Sequence, residues 1–254
     1  MIDIASNTFE LNDLRFVQKF GSESGSYNAV YPEFVLVKTA TMVNDYLSRL
    51  GGLKIDSLLE IGILRGGSVA FFNEQLKPKR HMAIDIHREE GGLDTLADKV
   101  NSGERGDRQL HVRYDISQSD TQGIVSEYER KFGVRAEFDL IIDDASHSYE
   151  LSLETFNGLF PRVKPGGIYA IEDWGWGHWQ EGGFQDPSNI EYNRPALSNL
   201  PLFCLMACTA RQAGIARVDA TSDTVFVHRN SQALPDNFKI EASFPTRGRQ
   251  VALL

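Results

Sequence analysis

Acidic side chains and a histidine stand at the ends of two apolar runs of the sequence. The run FDLIIDD ends at Asp144 and His147 follows three residues later, while the run GIYAIED ends at Glu172 and Asp173. Functional residues of open α/β sheets lie at the carboxyl ends of the strands. If the two runs are neighbouring strands, three carboxylates converge, and a hard divalent cation relieves their repulsion. The sequence therefore predicts a site for Mg²⁺, with Mn²⁺ or Ca²⁺ as alternatives and with Asp144, Glu172 and Asp173 as ligands.

The histidine of this group could move a proton. Imidazole titrates near neutral pH, and His147 is close enough to Asp144 in the chain to reach a molecule bound at the metal. A hydroxyl that acts as a nucleophile must lose its proton as it attacks. We therefore predict that His147 and Asp144 are catalytic, with His147 as the general base and Asp144 as a metal ligand.

A second group of residues predicts a binding site for a cofactor. The segment EIGILRGGS (60–68) leads from a strand into a helix, and its glycines permit close approach of a ligand. Its spacing differs from G-x-G-x-x-G, and a glutamate would repel a pyrophosphate, so a cationic ligand fits better than a dinucleotide. An aspartate after the next strand could accept hydrogen bonds from a ribose. The predicted cofactor-binding residues are Glu60, Gly62, Gly66, Ser68, Asp85, Asp115 and Asp143.

Short apolar runs must position these residues. Five runs rich in Ile, Leu, Val and Phe alternate with amphipathic segments, which predicts a mostly parallel, doubly wound α/β sheet. Two further runs separated by a three-residue turn predict a hairpin, so one strand near the C-terminus should be antiparallel. The predicted strands are 57–62, 81–86, 110–115, 138–144, 167–173, 215–220 and 224–229, and the predicted helices are 67–76, 121–133, 149–163 and 204–214.

The remaining segments are expected to surround this core. We predict a single domain over residues 1–254, with a catalytic core at 55–230 and a helical N-terminal lid at 1–52. The lid is expected to end in a helix over 34–50, which two glycines terminate. Residues 174–203 are rich in tryptophan, glycine and proline, and they predict a long functional loop.

Composition excludes several classes of protein. The 254 residues carry 26 basic and 35 acidic side chains, a net charge of −9, which disfavours binding to nucleic acid or to an anionic membrane surface. No apolar run approaches the length of a membrane span, and the N-terminus shows no signal peptide. Cys204 and Cys208, four residues apart, are expected to be buried thiols in a reducing compartment. These features predict a cytoplasmic location.

The cofactor segment resembles that of class I S-adenosylmethionine-dependent methyltransferases. The glycine segment, Asp85, the turn KPGG and the C-terminal hairpin carry this resemblance, which covers roughly residues 55–230. It implies a Rossmann-like sheet of about seven strands with the last one antiparallel, and S-adenosylmethionine as cofactor. It also implies that Glu60 and Gly62 flank the methionine part, that Asp85 binds the ribose, and that Asp115 borders the adenine.

The motifs DDASH and IED resemble those of metal-dependent sugar O-methyltransferases of the macrocin and mycinamicin type, and of relatives acting on rhamnose or mannose polysaccharides. That group usually has glycine where this chain has Ala145, which is also small. The resemblance implies that Asp144, Glu172 and Asp173 hold Mg²⁺ and that His147 is the base. It further implies a sugar acceptor, either a small molecule or a polysaccharide, and a homo-oligomer.

Aromatic residues that could contact a sugar follow the metal motif. Aromatic faces suit the apolar face of a sugar ring, and the predicted substrate-binding residues are Trp174, Trp176, His178 and Tyr27.

Three alternative functions stay open: methylation of a catechol-like diol, an NAD-dependent oxidoreductase on a Rossmann sheet, and a binding module without catalysis. Glu60 and the absent dinucleotide fingerprint disfavour the oxidoreductase. The intact acidic group disfavours the binding module.

Overall fold

Residues 7–88, 92–211, 213–235 and 237–254 are described by a computed structural model. The chain divides into two units, Met1–Ile116 and Ser117–Leu254. The expectation of a single domain stays a prediction.

The first unit begins with a three-stranded sheet. Its strands are β1 (Thr8–Leu11), β2 (Leu14–Gln18) and β3 (Glu33–Leu36). Helix α1 (Ser22–Ser26) lies between β2 and β3, and helix α2 (Ala40–Leu50) follows β3. β1 pairs with β2 in antiparallel register, and β2 pairs with β3 in parallel register. The buried rings of Phe9, Phe16 and Phe34 lie in this sheet, with centroid distances of 5.1 Å and 6.1 Å along the row.

The predicted helical lid over residues 1–52 is therefore wrong in its secondary structure, although residues 1–6 lie outside the described part. The predicted helix over 34–50 is also too long, because its first residues, Phe34-Val-Leu, form β3. Aromatic and β-branched residues favour a strand where a partner strand is available. The helix starts only after Thr39, whose hydroxyl accepts a hydrogen bond from the Met42 N–H at 3.1 Å, and it ends before Gly51 as predicted.

The rest of the first unit carries the predicted cofactor segment. Its elements are β4 (Ser57–Ile61), α3 (Gly67–Leu76), β5 (Arg80–Ile84), α4 (Leu93–Asn101) and β6 (Gln109–Arg113). The three strands are parallel. The bounds of α3 agree with the prediction, whereas α4 was not predicted. Every residue of β4 is buried, as expected of a strand covered on both faces.

The second unit carries the predicted acidic group and the C-terminal hairpin. Its elements are α5 (Thr121–Phe132), β7 (Phe138–Asp143), α6 (Tyr149–Leu159), β8 (Val163–Glu172), α7 (Asn199–Ala210), β9 (Ile215–Ala220) and β10 (Thr224–Arg229). β7 and β8 are parallel, and β10 is antiparallel to both β8 and β9. The helix predicted at 204–214 occupies Asn199–Ala210, so the predicted loop 174–203 ends earlier. Gln212 lies outside the described residues.

The strands β4 to β10 belong to one seven-stranded sheet. Their order is β6-β5-β4-β7-β8-β10-β9, and only β10 opposes its neighbours. This arrangement confirms the predicted α/β class, a Rossmann-like and mostly parallel sheet with one antiparallel strand near the C-terminus. In the part of the chain that the structure describes, no helix has the length and apolar character needed to cross a membrane.

Candidate active site

Two carboxylates and an imidazole meet beyond the carboxyl ends of β7 and β8. The Nε2 atom of His147 lies 3.9 Å from Oδ1 of Asp144 and 3.9 Å from Oδ2 of Asp173. One ligand atom from each of the three residues lies within 4.8 Å of the others. The side chains are 14% to 25% exposed, so a small ion or molecule can reach them. The sequence therefore correctly predicted that His147, Asp144 and Asp173 lie together.

Backbone geometry fixes two members of this group. His147 and Asp173 have φ values of 53° and 52°, in the left-handed region that non-glycine residues adopt only at a cost in free energy. The Asp173 N–H donates to the carbonyl of Asp223 in the turn between β9 and β10, at 2.8 Å. The Ser146 N–H donates to Oε1 of the buried Gln118, at 3.0 Å. Neither Gln118 nor Asp223 stands in a recognisable motif, so their supporting contacts cannot be predicted from the sequence.

Glu172 lies outside this group of three. It is the last residue of β8 and is 1% exposed, while the next residue, Asp173, belongs to the group. Glu172 ends the extended strand, whereas Asp173 has a left-handed backbone with φ of 52°, so the two side chains leave the chain in different directions. Its predicted role as a metal ligand stays a prediction.

Asp143 is buried one residue before the group. Its Oδ2 accepts a hydrogen bond from the Tyr169 hydroxyl at 2.8 Å. Burial raises the pKa of Asp143 to about 7, and the nearby Asp144 carboxylate adds to the rise, while the hydrogen bond from Tyr169 opposes it. The structure therefore shows Asp143 held by a neighbouring strand. Its predicted contact with the cofactor is not tested.

An aromatic cluster lies beside the imidazole. The ring of Trp176 is 4.3 Å from the ring of His147, centroid to centroid. Trp176 also contacts Phe184 at 5.6 Å and Trp179 at 6.2 Å. Trp179 is 44% exposed, so this cluster presents an aromatic surface next to the acidic group.

Two of the predicted substrate-binding residues are engaged within the protein. The indole N–H of Trp174 donates to the carbonyl of Thr221 at 3.0 Å. Nε2 of His178 lies 2.7 Å from the Ser198 hydroxyl. Both contacts join the loop after β8 to other segments of the second unit. A role of Trp174 or His178 in binding a substrate stays a prediction.

In the first unit, Asp85 organises the glycine segment. Its Oδ2 accepts hydrogen bonds from the backbone N–H groups of Ile63 at 2.7 Å and Leu64 at 3.2 Å, and its Oδ1 accepts one from His87 at 3.0 Å. Gly62 and Gly66, with φ values of 98° and 76°, allow the tight path of this segment. Ser68 is the second residue of α3 and is half-buried, and Asp115 is exposed after β6.

Glu60, the first residue of the glycine segment, is fully buried. One of its oxygens lies 3.5 Å from Nε2 of His81, which is also fully buried. Neither carboxylate oxygen has a hydrogen-bond partner within the described residues. Buried carboxylates usually have such partners, so Glu60 retains the capacity to accept a hydrogen bond from a ligand, which fits the cationic cofactor that the sequence predicts.

Tyr27 lies near the glycine segment rather than within the acidic group. Its hydroxyl donates to Glu33 at 3.0 Å, and its carbonyl accepts a hydrogen bond from Arg65 of the glycine segment at 2.7 Å. Arg65 also donates to the carbonyl of Gly25. The segment around Tyr27 therefore contacts the loop that is predicted to hold the cofactor. Its predicted contact with the substrate is not tested.

In a comparison with known protein families, residues 59–174 match the model of a methyltransferase domain. Demethylmacrocin O-methyltransferase from Streptomyces fradiae is 35% identical over 101 residues, which cover 39% of this chain and 23% of that protein. Mycinamicin VI 2''-O-methyltransferase from Micromonospora griseorubida is 29% identical over 138 residues, 51% of this chain and 30% of that protein. The chain thus matches less than a third of the length of these two relatives.

A solved structure shows the same fold. It is that of the methyltransferase MycE from the mycinamycin biosynthetic pathway, in complex with Mg, SAH and mycinamycin VI. The TM-score is 0.52 at 20% sequence identity, and the match covers 80% of this chain and 50% of that one. Residues 59–174, which match the methyltransferase domain, run from β4 to the residue after Asp173 and include both the glycine segment and the acidic group. This part of the chain is therefore similar to methyltransferase domains, and the macrocin and mycinamicin O-methyltransferases are among the proteins it resembles.

Proposed function

We propose that this chain is an S-adenosylmethionine-dependent O-methyltransferase that uses Mg²⁺ to methylate a carbohydrate hydroxyl. The convergence of Asp144, His147 and Asp173 beyond two neighbouring strand ends carries this proposal. The methyltransferase domain match and the named sugar O-methyltransferase relatives support it.

The donor set fits a hard divalent cation. Two carboxylates of like charge lie near one another and near the Nε2 atom of one imidazole, and oxygen donors are those that Mg²⁺ prefers. Asp144 and Asp173 would hold the ion, with Glu172 as the third proposed ligand. Bound Mg²⁺ would supply Lewis acidity that favours loss of the acceptor hydroxyl's proton.

His147 would accept that proton at Nε2. The atom faces both carboxylates, which stabilise the positive charge that the imidazole gains. Trp176 packs against the imidazole and limits its orientations. General bases positioned in this way contribute about 10²- to 10⁴-fold to the rate.

The first unit would bind the cofactor, which supplies the methyl group. Asp85 and the glycines shape the loop after β4. We propose that Glu60, Gly62, Gly66 and Ser68 lie along the methionine part, with Asp85 and Asp115 toward the nucleoside. The role of Asp143, which belongs to the second unit, stays a prediction.

The acceptor is proposed to be a sugar. The two relatives named above methylate macrocin-type and mycinamicin compounds by their names, and Trp176 and Trp179 present aromatic surface beside His147. Trp174, His178 and Tyr27 are further proposed substrate contacts. We further propose that the protein is cytoplasmic and forms a homo-oligomer.

An acceptor screen with a labelled methyl donor tests this function. Purified protein is incubated with sugars, glycosylated natural products, polysaccharides and a catechol, each with Mg²⁺ or with EDTA. Label is expected in a sugar-bearing acceptor and only when Mg²⁺ is present. Label in the catechol alone would replace the sugar acceptor with a diol, and equal labelling in EDTA would contradict the metal role.

A further inference from the structure

A basic cavity lies in the first unit, at the edge where β4, β5 and β6 begin. Its volume is about 610 Å³, and its lining includes Lys79 and Arg108, which directly precede β5 and β6. The glycine segment follows the other end of β4. Five residues of strand separate the two edges, a distance of about 16 Å. The cavity is therefore separate from the predicted cofactor loop.

Two arginines are fixed in the lining of the cavity. The side chains of Arg105 and Arg108 are 10% and 9% exposed, and both pair with the buried Glu74, at 3.1 Å and 3.0 Å. Arg108 also donates to the Asn73 carbonyl at 2.7 Å. Nε of Arg105 is buried and has no acceptor among the described residues. Arg105 also donates to Asp13 at 2.7 Å. Both guanidinium groups are thus held in place by acidic partners.

Lysines add charge that the described residues do not neutralise. Lys77 and Lys79 are exposed at the cavity and make no ion pair or hydrogen bond through their side chains in the described ranges, while Lys54 pairs with Asp56. The lining contains five basic residues and two acidic ones, Asp56 and Asp107. Because Asp13, Glu74 and Asp56 pair with the other basic residues of the lining, Lys77 and Lys79 carry the positive charge that remains. The whole chain carries a net charge of −9. Concave sites with charge of one sign concentrate counter-ions, so these two ammonium groups favour an anion.

We propose that this cavity binds a phosphate-bearing anion of the diphosphate type. Two unpaired ammonium groups match an anion with at least two charges, and lysine binds phosphate oxygens as a point charge. The volume accommodates a diphosphate with room for a group attached to it. This site is independent of the methyl-transfer site and stands whether or not the proposed function is correct.

Calorimetric titration with pyrophosphate tests the proposal. The full chain is used at fixed ionic strength with EDTA present, so that pyrophosphate does not act by chelating metal. The test variant is Lys77→Gln/Lys79→Gln. The control is Lys131→Gln/Lys239→Gln, which removes the same charge from exposed lysines outside the cavity.

Pyrophosphate is expected to bind the wild type and the control equally, and the test variant at least about tenfold more weakly, because each removed charge lowers the local attraction. Methyl transfer should be unchanged in both variants. A parallel titration with ADP distinguishes a diphosphate carried by a nucleoside from the free ion. Absence of pyrophosphate binding, equal affinity of the two variants, or competition by S-adenosylhomocysteine would overturn the proposal.

Discussion

At the residue scale, the proposed proton transfer depends on the Nε2 atom of His147. It lies at equal distances of 3.9 Å from Asp144 and Asp173, a position that suits either a metal ligand or a base. One lone pair cannot bind a metal and accept a proton at the same time. The two roles differ in what removal of the imidazole does to metal affinity.

The substitution His147→Ala is therefore expected to lower kcat by about 10²- to 10⁴-fold and to leave the Kd for Mn²⁺ within about threefold, because the carboxylates hold the ion. Methyl transfer is measured by label incorporation, and Mn²⁺ binding by calorimetry. His228→Ala is the matched control, since His228 is 16% exposed and His147 is 14% exposed. Unchanged turnover in His147→Ala would contradict the role of His147 as the general base. Loss of Mn²⁺ binding would show that His147 is a metal ligand instead.

Trp176 is expected to position His147. Their rings lie 4.3 Å apart, and such contacts contribute about 0.5–1.5 kcal/mol. Trp176→Ala should lower kcat by about two- to tenfold without changing the Kd for S-adenosylmethionine. Trp179→Ala is the comparison, because Trp179 belongs to the same cluster through Trp176 and Phe184. An equal fall in kcat for both variants would show that the cluster acts as a whole and not through the imidazole.

At the element scale, the start of α3 depends on the absence of a side chain at Gly67. A Cβ atom there would lie 1.9 Å from the Val35 carbonyl oxygen of β3, so the helix and the strand could not approach as closely. Gly67→Ala is expected to lower the free energy of unfolding by about 2–4 kcal/mol, measured by chemical denaturation. Gly25→Ala is the control, since its Cβ would meet nothing within 4 Å. Equal stability of the two variants would contradict this close packing.

The core strands could be predicted because their residues are apolar on both faces. All five residues of β4 and the last four residues of β7 are buried, and such runs are visible in sequence. The strands β1 to β3 could not be predicted in this way, since each is four or five residues long and depends on pairing with the others. Helix α4 was missed although Leu93, Leu96 and Val100 are buried at helical spacing.

The sequence could predict only those features of the site that follow from where the strands end. Asp144 and Asp173 follow the parallel strands β7 and β8, so their proximity follows from topology. Glu172 lies outside the group of Asp144, His147 and Asp173, because it points to another side of β8. Glu60 is fully buried next to His81. The left-handed backbone at His147 depends on contacts of its loop with distant residues. None of these can be read from spacing along the chain.

At the scale of the whole molecule, metal binding should stabilise the fold. A ligand that binds only the folded state adds about 2.7 kcal/mol to the free energy of unfolding at 100 times its Kd. Mg²⁺ should raise the Tm of the wild type and should not raise that of Asp144→Asn. Asp98→Asn, at an exposed position on α4, should behave as the wild type does. A Tm that responds to Mg²⁺ in Asp144→Asn would place the ion elsewhere.

The dependence of methyl transfer on Mg²⁺ concentration tests the central claim most directly. Wild type and Asp173→Asn are stripped with chelator and assayed with one sugar acceptor over a Mg²⁺ titration. We predict that the wild-type rate falls to background without metal and recovers fully with Mg²⁺, while Asp173→Asn requires at least about tenfold more Mg²⁺ because it loses one charged ligand. Full activity of the chelated wild type, or identical titration curves for the two proteins, would contradict the assignment of this acidic group as the metal site.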